Sequence, residues 1–189
     1  MTKLNTVLSK NLYKAIISTV AVALLVGCSS NYTEKSARKT KNITDANIAA
    51  IVVGANEIDI SAGKIALQRS NNYEIKKFAQ RMITDHQAVL DGAVKLVTKL
   101  GVTPVNNDLV AALSKQSKEH EASLRTLKGK AFDKKYIDHE VAYHMAVIDV
   151  IEKQLIPSVK SGELKKALIS VVPAFKVHLE HSKMIQSQL

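Results

Sequence analysis

The chain has 189 residues, a formal charge of +10 and a sequence pI near 9.6, with one cysteine, no tryptophan and 4% aromatic residues. A lone cysteine excludes an intramolecular disulfide, and basic residues without interleaved aromatics exclude a base-stacking nucleic-acid surface. Much of the positive charge also lies near the N-terminus, outside the part expected to fold.

Residues 1–27 read as a signal peptide. Lys3, Lys10 and Lys14 make a positive start, followed by the apolar run "AIISTVAVALLV" from Ala15 to Val26. That run is shorter than the about 20 residues needed to span a membrane. It ends in "LVGC", Leu25 to Cys28, which is similar to the bacterial lipobox, where the cysteine becomes the lipidated first residue of the mature chain. Cys28 is therefore the expected lipidation site. Ser29 follows it where an aspartate would suggest inner-membrane retention, so the reading favours the outer membrane, facing the periplasm.

Residues 28–44 are polar, lack apolar periodicity and carry Lys35, Arg38, Lys39 and Lys41 against Glu34. They read as a flexible tether, spanning about 20 Å root-mean-square, whose charge anionic head groups would attract. Losing residues 1–27 removes three lysines and no acid, leaving +7 of the +10, and the tether accounts for three more. The body keeps about +4, which calls for no nucleic-acid partner; the membrane is the expected one.

Residues 45–189 have the length of one domain, with apolar residues at helical rather than alternating spacing. The first predicted helix covers about 45–70, capped by Thr44 or Asp45, and Asn71-Asn72 turn the chain. The second covers about 73–100, with Phe78, Met82, Val89, Ala93 and Leu96 inside, and Gly101 stops it. The third, about 107–127, has a narrow stripe and ends at Gly129, covering one side of a bundle. The fourth covers about 131–156 and the fifth about 163–187, kinked near Pro173. The expectation is all-α: an antiparallel four-helix bundle with one extra shorter helix.

A helix turns about 100° per residue, which places each polar residue against the apolar stripe of its own helix. Asp59 falls between Ala55 and Ala62, His86 between Met82 and Val89, and His144 between Val141 and Ile148. Glu140 lies one turn before His144, and His178 lies beside Phe175. Asp85 sits at the edge of its stripe. His139, Asp138 and His181 point outward, and His120 reads as a seam histidine on the third helix. Asp59 and His86 lie 12 and 15 residues from Asn71, and His144 and His178 lie 16 and 18 from Lys160. At about 1.5 Å rise per residue, each pair is level to within one turn. All four long helices thus send a potential ligand to the middle of the bundle.

Two readings follow. In one, Asp59, His86, Glu140, His144 and His178 bind a single transition-metal ion such as zinc, iron or copper. In the other, the same residues form a buried hydrogen-bonded network that fixes helix register, in a structural or stress-related envelope lipoprotein that binds a partner protein. No Glu-x-x-His occurs in the chain, which speaks against a di-iron oxidase. No nucleophile elbow or phosphate loop frames a hydrolase, so no catalytic residue is assigned.

The segments "DISAGKIALQRS" (59–70), "EIKKFAQRMITDHQAV" (74–89), "LKGKAFDKKYIDHEVAYH" (127–144) and "PAFKVHLEHSK" (173–183), together with "LVTKLGVTP" (96–104) and "LIPSVKSGELKKAL" (155–168), resemble a bacterial family known as domain of unknown function 4142. The resemblance implies a ferritin-like bundle and an outer-membrane or periplasmic address, and it implies no established reaction. The family's recurring polar positions map onto Asp59, Asp85, His86, Glu140, His144 and His178. The family often has glutamate where this chain has Asp59, whose side chain reaches less far.

Overall fold

The computed structural model describes residues 43–189. The predicted signal peptide, Cys28 and all but the last two residues of the tether lie outside the described residues. Among the described residues the structure is helical, with no strand.

Five helices account for the fold. α1 is Asp45–Arg69, α2 Tyr73–Lys99, α3 Asp108–Thr126, α4 Gly129–Val150 and α5 Gly162–Gln186. α4 continues through a π-helical segment, Ile151–Leu155, and a last turn, Ile156–Ser158. Side chains set these boundaries. Thr44 caps α1 in a capping box with Asn47, and Asn72, Asn107 and Ser161 cap α2, α3 and α5. Each satisfies amides that have no partner inside the helix. α2 stops as the sequence predicts. Gly101 takes φ 65, and Gly101 and Val102 donate their amides to Thr98 and Val97 at 3.1 and 2.9 Å, a Schellman motif. Gly129, expected to close the third helix, instead opens α4 with φ 55. α5 runs on through Pro173, whose missing N–H falls on the exposed side.

The packing order is α1 on α2, α2 on α5, α5 on α4 and α4 on α1, with α3 outside the ring against α1. Neighbours around the ring are antiparallel. α3 is the connection that carries the chain back along the bundle, so α4 runs parallel to α2. A four-helix bundle with one long crossover is the ferritin-like arrangement. Both lower loops are pinned to the start of α1. Asn47 donates to the Val105 carbonyl at 2.9 Å, and the Asp45 carboxylate accepts from the Lys160 and Ser161 amides at 2.8 and 2.9 Å. α1 and α2 approach closely at Gly63, where a Cβ would lie 3.1 Å from the Ala79 carbonyl oxygen.

The core falls into two apolar clusters. The upper one, near the α1–α2 turn, centres on Phe78, Met82, Phe132, Tyr136 and Ile185. The lower one centres on Ile48, Ile51, Ile151, Leu168 and Phe175. Between them lies a layer of buried polar side chains. The lower half of α2 departs from expectation: Val89, Ala93 and Leu96 are only half-buried, because they line a cavity of about 510 Å³.

Candidate metal centre

The polar layer contains the five residues that helical phase pointed inward. Asp59 comes from α1, His86 from α2, Glu140 and His144 from α4, and His178 from α5. Their relative exposures run from 0% to 2%. One ring nitrogen from each of His86, His144 and His178 lies within 4.8 Å of the other two, and the ligand atoms of Asp59, Glu140 and His144 meet the same limit. His144 belongs to both groups, so the five form one centre with a nitrogen side and an oxygen side.

The hydrogen bonds around the rings decide what the centre can do. His86 Nδ1 meets the Asn56 side-chain oxygen at 2.8 Å. The Asn56 amide nitrogen is itself spent on the Val52 carbonyl at 2.7 Å. His144 Nδ1 meets the Glu140 backbone carbonyl at 3.0 Å, and His178 Nε2 meets an Asp85 carboxylate oxygen at 2.9 Å. Each partner is an acceptor, so in each neutral ring that nitrogen carries the hydrogen. The remaining nitrogens, Nε2 of His86, Nε2 of His144 and Nδ1 of His178, therefore present lone pairs. All three are buried without a hydrogen-bond partner. Asp59 approaches His86 Nε2 at 3.4 Å.

Electrostatics keeps the rings in that state. Burial lowers the pKa of His86, His144 and His178 to about 4 in each case, so all three are neutral at pH 7. Glu140 is displaced well upward, by burial first and then by the charge of Asp59 beside it. Asp59 is raised by burial, with the His144 ring acting the other way. Neither Glu140 oxygen nor the Tyr136 hydroxyl makes a hydrogen bond of good geometry, although Asp59 and Tyr136 both lie close enough to Glu140 to act on its pKa. Burial pushes Tyr136 and Tyr143 well above the usual phenol value. The Tyr143 hydroxyl donates to the Ala55 carbonyl at 2.9 Å, tying α4 to α1.

Two placements differ from the sequence expectation, and two agree with it. His139, expected in solvent, is half-buried, with its Nε2 sealed from water. Its ring stacks on His120 at 3.6 Å between centroids because α3 covers the side of α4 that the stripe leaves open. His181 is half-buried with its ring edge against Phe78 at 5.3 Å, since α5 is wrapped on that side by α2. Asp138 is half-exposed and holds Lys134 at 2.8 Å, so it stays outside the centre. His120 is buried where α3 meets α4, as expected.

Two participants escaped sequence reading, and so did the role of a third. Asn56 lies one turn before Asp59 on the same face of α1, and Tyr136 lies one turn before Glu140. That spacing was the only signal available for either. Asp85 was placed at the edge, but its role as the partner of His178 depends on how α2 packs against α5.

A crossover-connected helical bundle enclosing three imidazoles and two carboxyls is the class that fold and site define. The sequence model of the family described as Domain of unknown function (DUF4142) matches residues 30–185, and the chain belongs to that family. No curated protein and no solved structure matches it.

Proposed function

We propose that the protein binds one transition-metal ion in the polar layer, through His86, His144 and His178 with Glu140 or Asp59 as an oxygen donor. One observation carries this: three buried imidazoles from three helices each bring a ring nitrogen within 4.8 Å of the other two, and each ring keeps one buried nitrogen unpartnered while the other meets an acceptor. Metal-binding histidines typically have such outer partners, which fix the tautomer and raise ligand basicity. A purely structural network would be expected to pair its members with one another, because unsatisfied buried groups cost about 1–3 kcal/mol each. Tetrahedral zinc at about 2.0–2.1 Å from nitrogen places its ligands about 3.4 Å apart. One nitrogen from each ring already lies within 4.8 Å of the other two, so modest side-chain rotation closes the site. Neutral nitrogen with carboxylate oxygen suits zinc, iron or copper.

Elemental analysis of protein purified without an affinity tag and loaded with zinc should find about one ion per chain, and His86→Ala and His144→Ala should abolish it. Substoichiometric metal in the loaded wild type overturns the assignment. A melting temperature unchanged by chelator would instead favour the structural network, for which the closeness of Asp59 and Glu140, able to share one proton, speaks.

The same reading places the bundle in the bacterial envelope, anchored through Cys28 by the "LVGC" motif and its preceding apolar run. Metabolic labelling with a palmitate analogue should mark the wild-type chain and spare Cys28→Ser; equal labelling of both would end the anchor assignment.

A further inference from the structure

Below the polar layer the lower apolar cluster does not fill its space. A cavity of about 510 Å³ opens among α1, α2, α3, α4 and α5, within the about 300–1,000 Å³ range of small-ligand sites. Its walls include Val52, Ala93, Leu113, Ala146, Val147 and Val171. α3 explains why it stays open. Its upper end is anchored by fully buried Leu124, whereas Leu109 and Leu113 on its lower half are only half-buried. Space lined this way holds water poorly and accepts apolar molecules.

We propose that this cavity binds an uncharged lipid-like molecule, an apolar chain carrying one hydroxyl or carbonyl oxygen. Three observations choose this occupant. First, no lysine or arginine lines the cavity and the one charged lining residue is Asp108, so a carboxylate or phosphate head would find no counter-charge and one repulsive neighbour. Second, one buried polar atom of a lining residue lacks a partner: His139 Nε2, which a small turn of the ring would bring to the cavity. It can exchange a single hydrogen bond with an oxygen at the end of the chain. Third, the cavity occupies the half of the bundle where the chain enters α1 at Thr44, with Ile51 and Val52 on its wall. The 15 residues between Cys28 and that cap, read from the sequence as a tether, would hold this half near the membrane surface. The third observation rests on the envelope reading; the first two do not.

The test uses a chain beginning at Ser29, which keeps both apolar clusters and every helix cap. Dodecanol should displace a fluorescent naphthylamine probe with 1:1 stoichiometry, at least tenfold more effectively than dodecanoate at pH 8. Ala146→Phe and Ala93→Phe fill opposite walls and should each reduce probe binding at least tenfold without lowering the melting temperature. If one of them misfolds, the other carries the test. His139→Phe keeps the ring but removes the nitrogen; it should weaken dodecanol several-fold and leave dodecane binding unchanged. Binding that survives both wall substitutions, or dodecanoate binding as well as dodecanol, overturns the proposal. Because this chain has no Cys28, failure here leaves the anchor assignment standing, and failed labelling at Cys28 leaves the cavity result standing.

Discussion

The side chains that hold the three imidazoles matter as much as the imidazoles. Asp85 has about 39% of its side chain exposed and binds His178 from outside the core. The carboxylate sits below its usual pKa range: partial burial works against this, while hydrogen bonds from His178 and Arg81 dominate together. Removing a partner of this kind typically costs about 10–100-fold in metal affinity, whereas an exposed ion pair such as Arg81–Asp85 contributes little to stability. Asp85→Ala is therefore expected to weaken zinc binding by about that factor, measured by competition with a chromogenic chelator, and to lower the apo melting temperature modestly, because the buried His178 Nε2–H loses its acceptor. Glu140 makes the opposite case. Its pKa is raised by burial and by Asp59, so its contribution to stability is present below the unfolded value near 4.5 and is lost as pH rises through the folded value. Glu140→Gln removes that loss. The apo variant should keep its melting temperature between pH 6 and 9 better than the apo wild type, while binding zinc more weakly.

At the scale of elements, α3 is the helix whose place the sequence conveys least. Four long stripes predict the ring, and an aspartate or histidine at the centre of three stripes and toward the edge of the fourth predicts the layer, because helical phase is a local property. What α3 covers is not local. Its narrow stripe says only that it lies on something, so His139 looks solvent-facing until His120 is seen stacked on it. Val89 and Leu96 look like core for the same reason, since a stripe records apolar character and not whether the facing space is filled. The partners of the imidazoles, Asn56 and Asp85, depend on ring rotation and helix contact and leave no periodic trace. The asymmetry of α3 has an energetic consequence. Leu124 is fully buried in the upper cluster, so Leu124→Ala should destabilise by about 2–5 kcal/mol. Leu109→Ala, facing the cavity, should cost about 1 kcal/mol or less, as chemical denaturation of the two variants would show.

For the whole molecule, the buried imidazoles set the response to acid. His86, His120, His144 and His178 are each held near pKa 4 against an ordinary 6.5, burial being the first cause. Between those values the unfolded chain takes up four protons that the native chain refuses. Their contribution to stability is thus complete above pH 6.5 and is lost as pH falls toward 4. Glu140 and Asp59, both raised, act in the other direction, while His139, also lowered by burial, adds to the loss. The apo protein should lose about 2 kcal/mol or more between pH 7 and pH 5, lowering Tm by roughly 5 °C or more; a flat profile across that range would contradict neutral buried rings. A bound ion would steepen the response, because the same protons displace it.

The polar layer also partitions the domain. Apolar contacts hold each end of the bundle together, but across the middle the helices meet through groups that gain little from one another while their lone pairs face inward. The upper and lower clusters are therefore expected to open as two blocks sharing four continuous helices, the lower one, which borders the cavity, first. A cation drawing α2, α4 and α5 to one point would fuse them into a single unit that opens all at once. On this view, occupancy would be read out as mechanical coherence along the length of the bundle, leaving its outline unchanged.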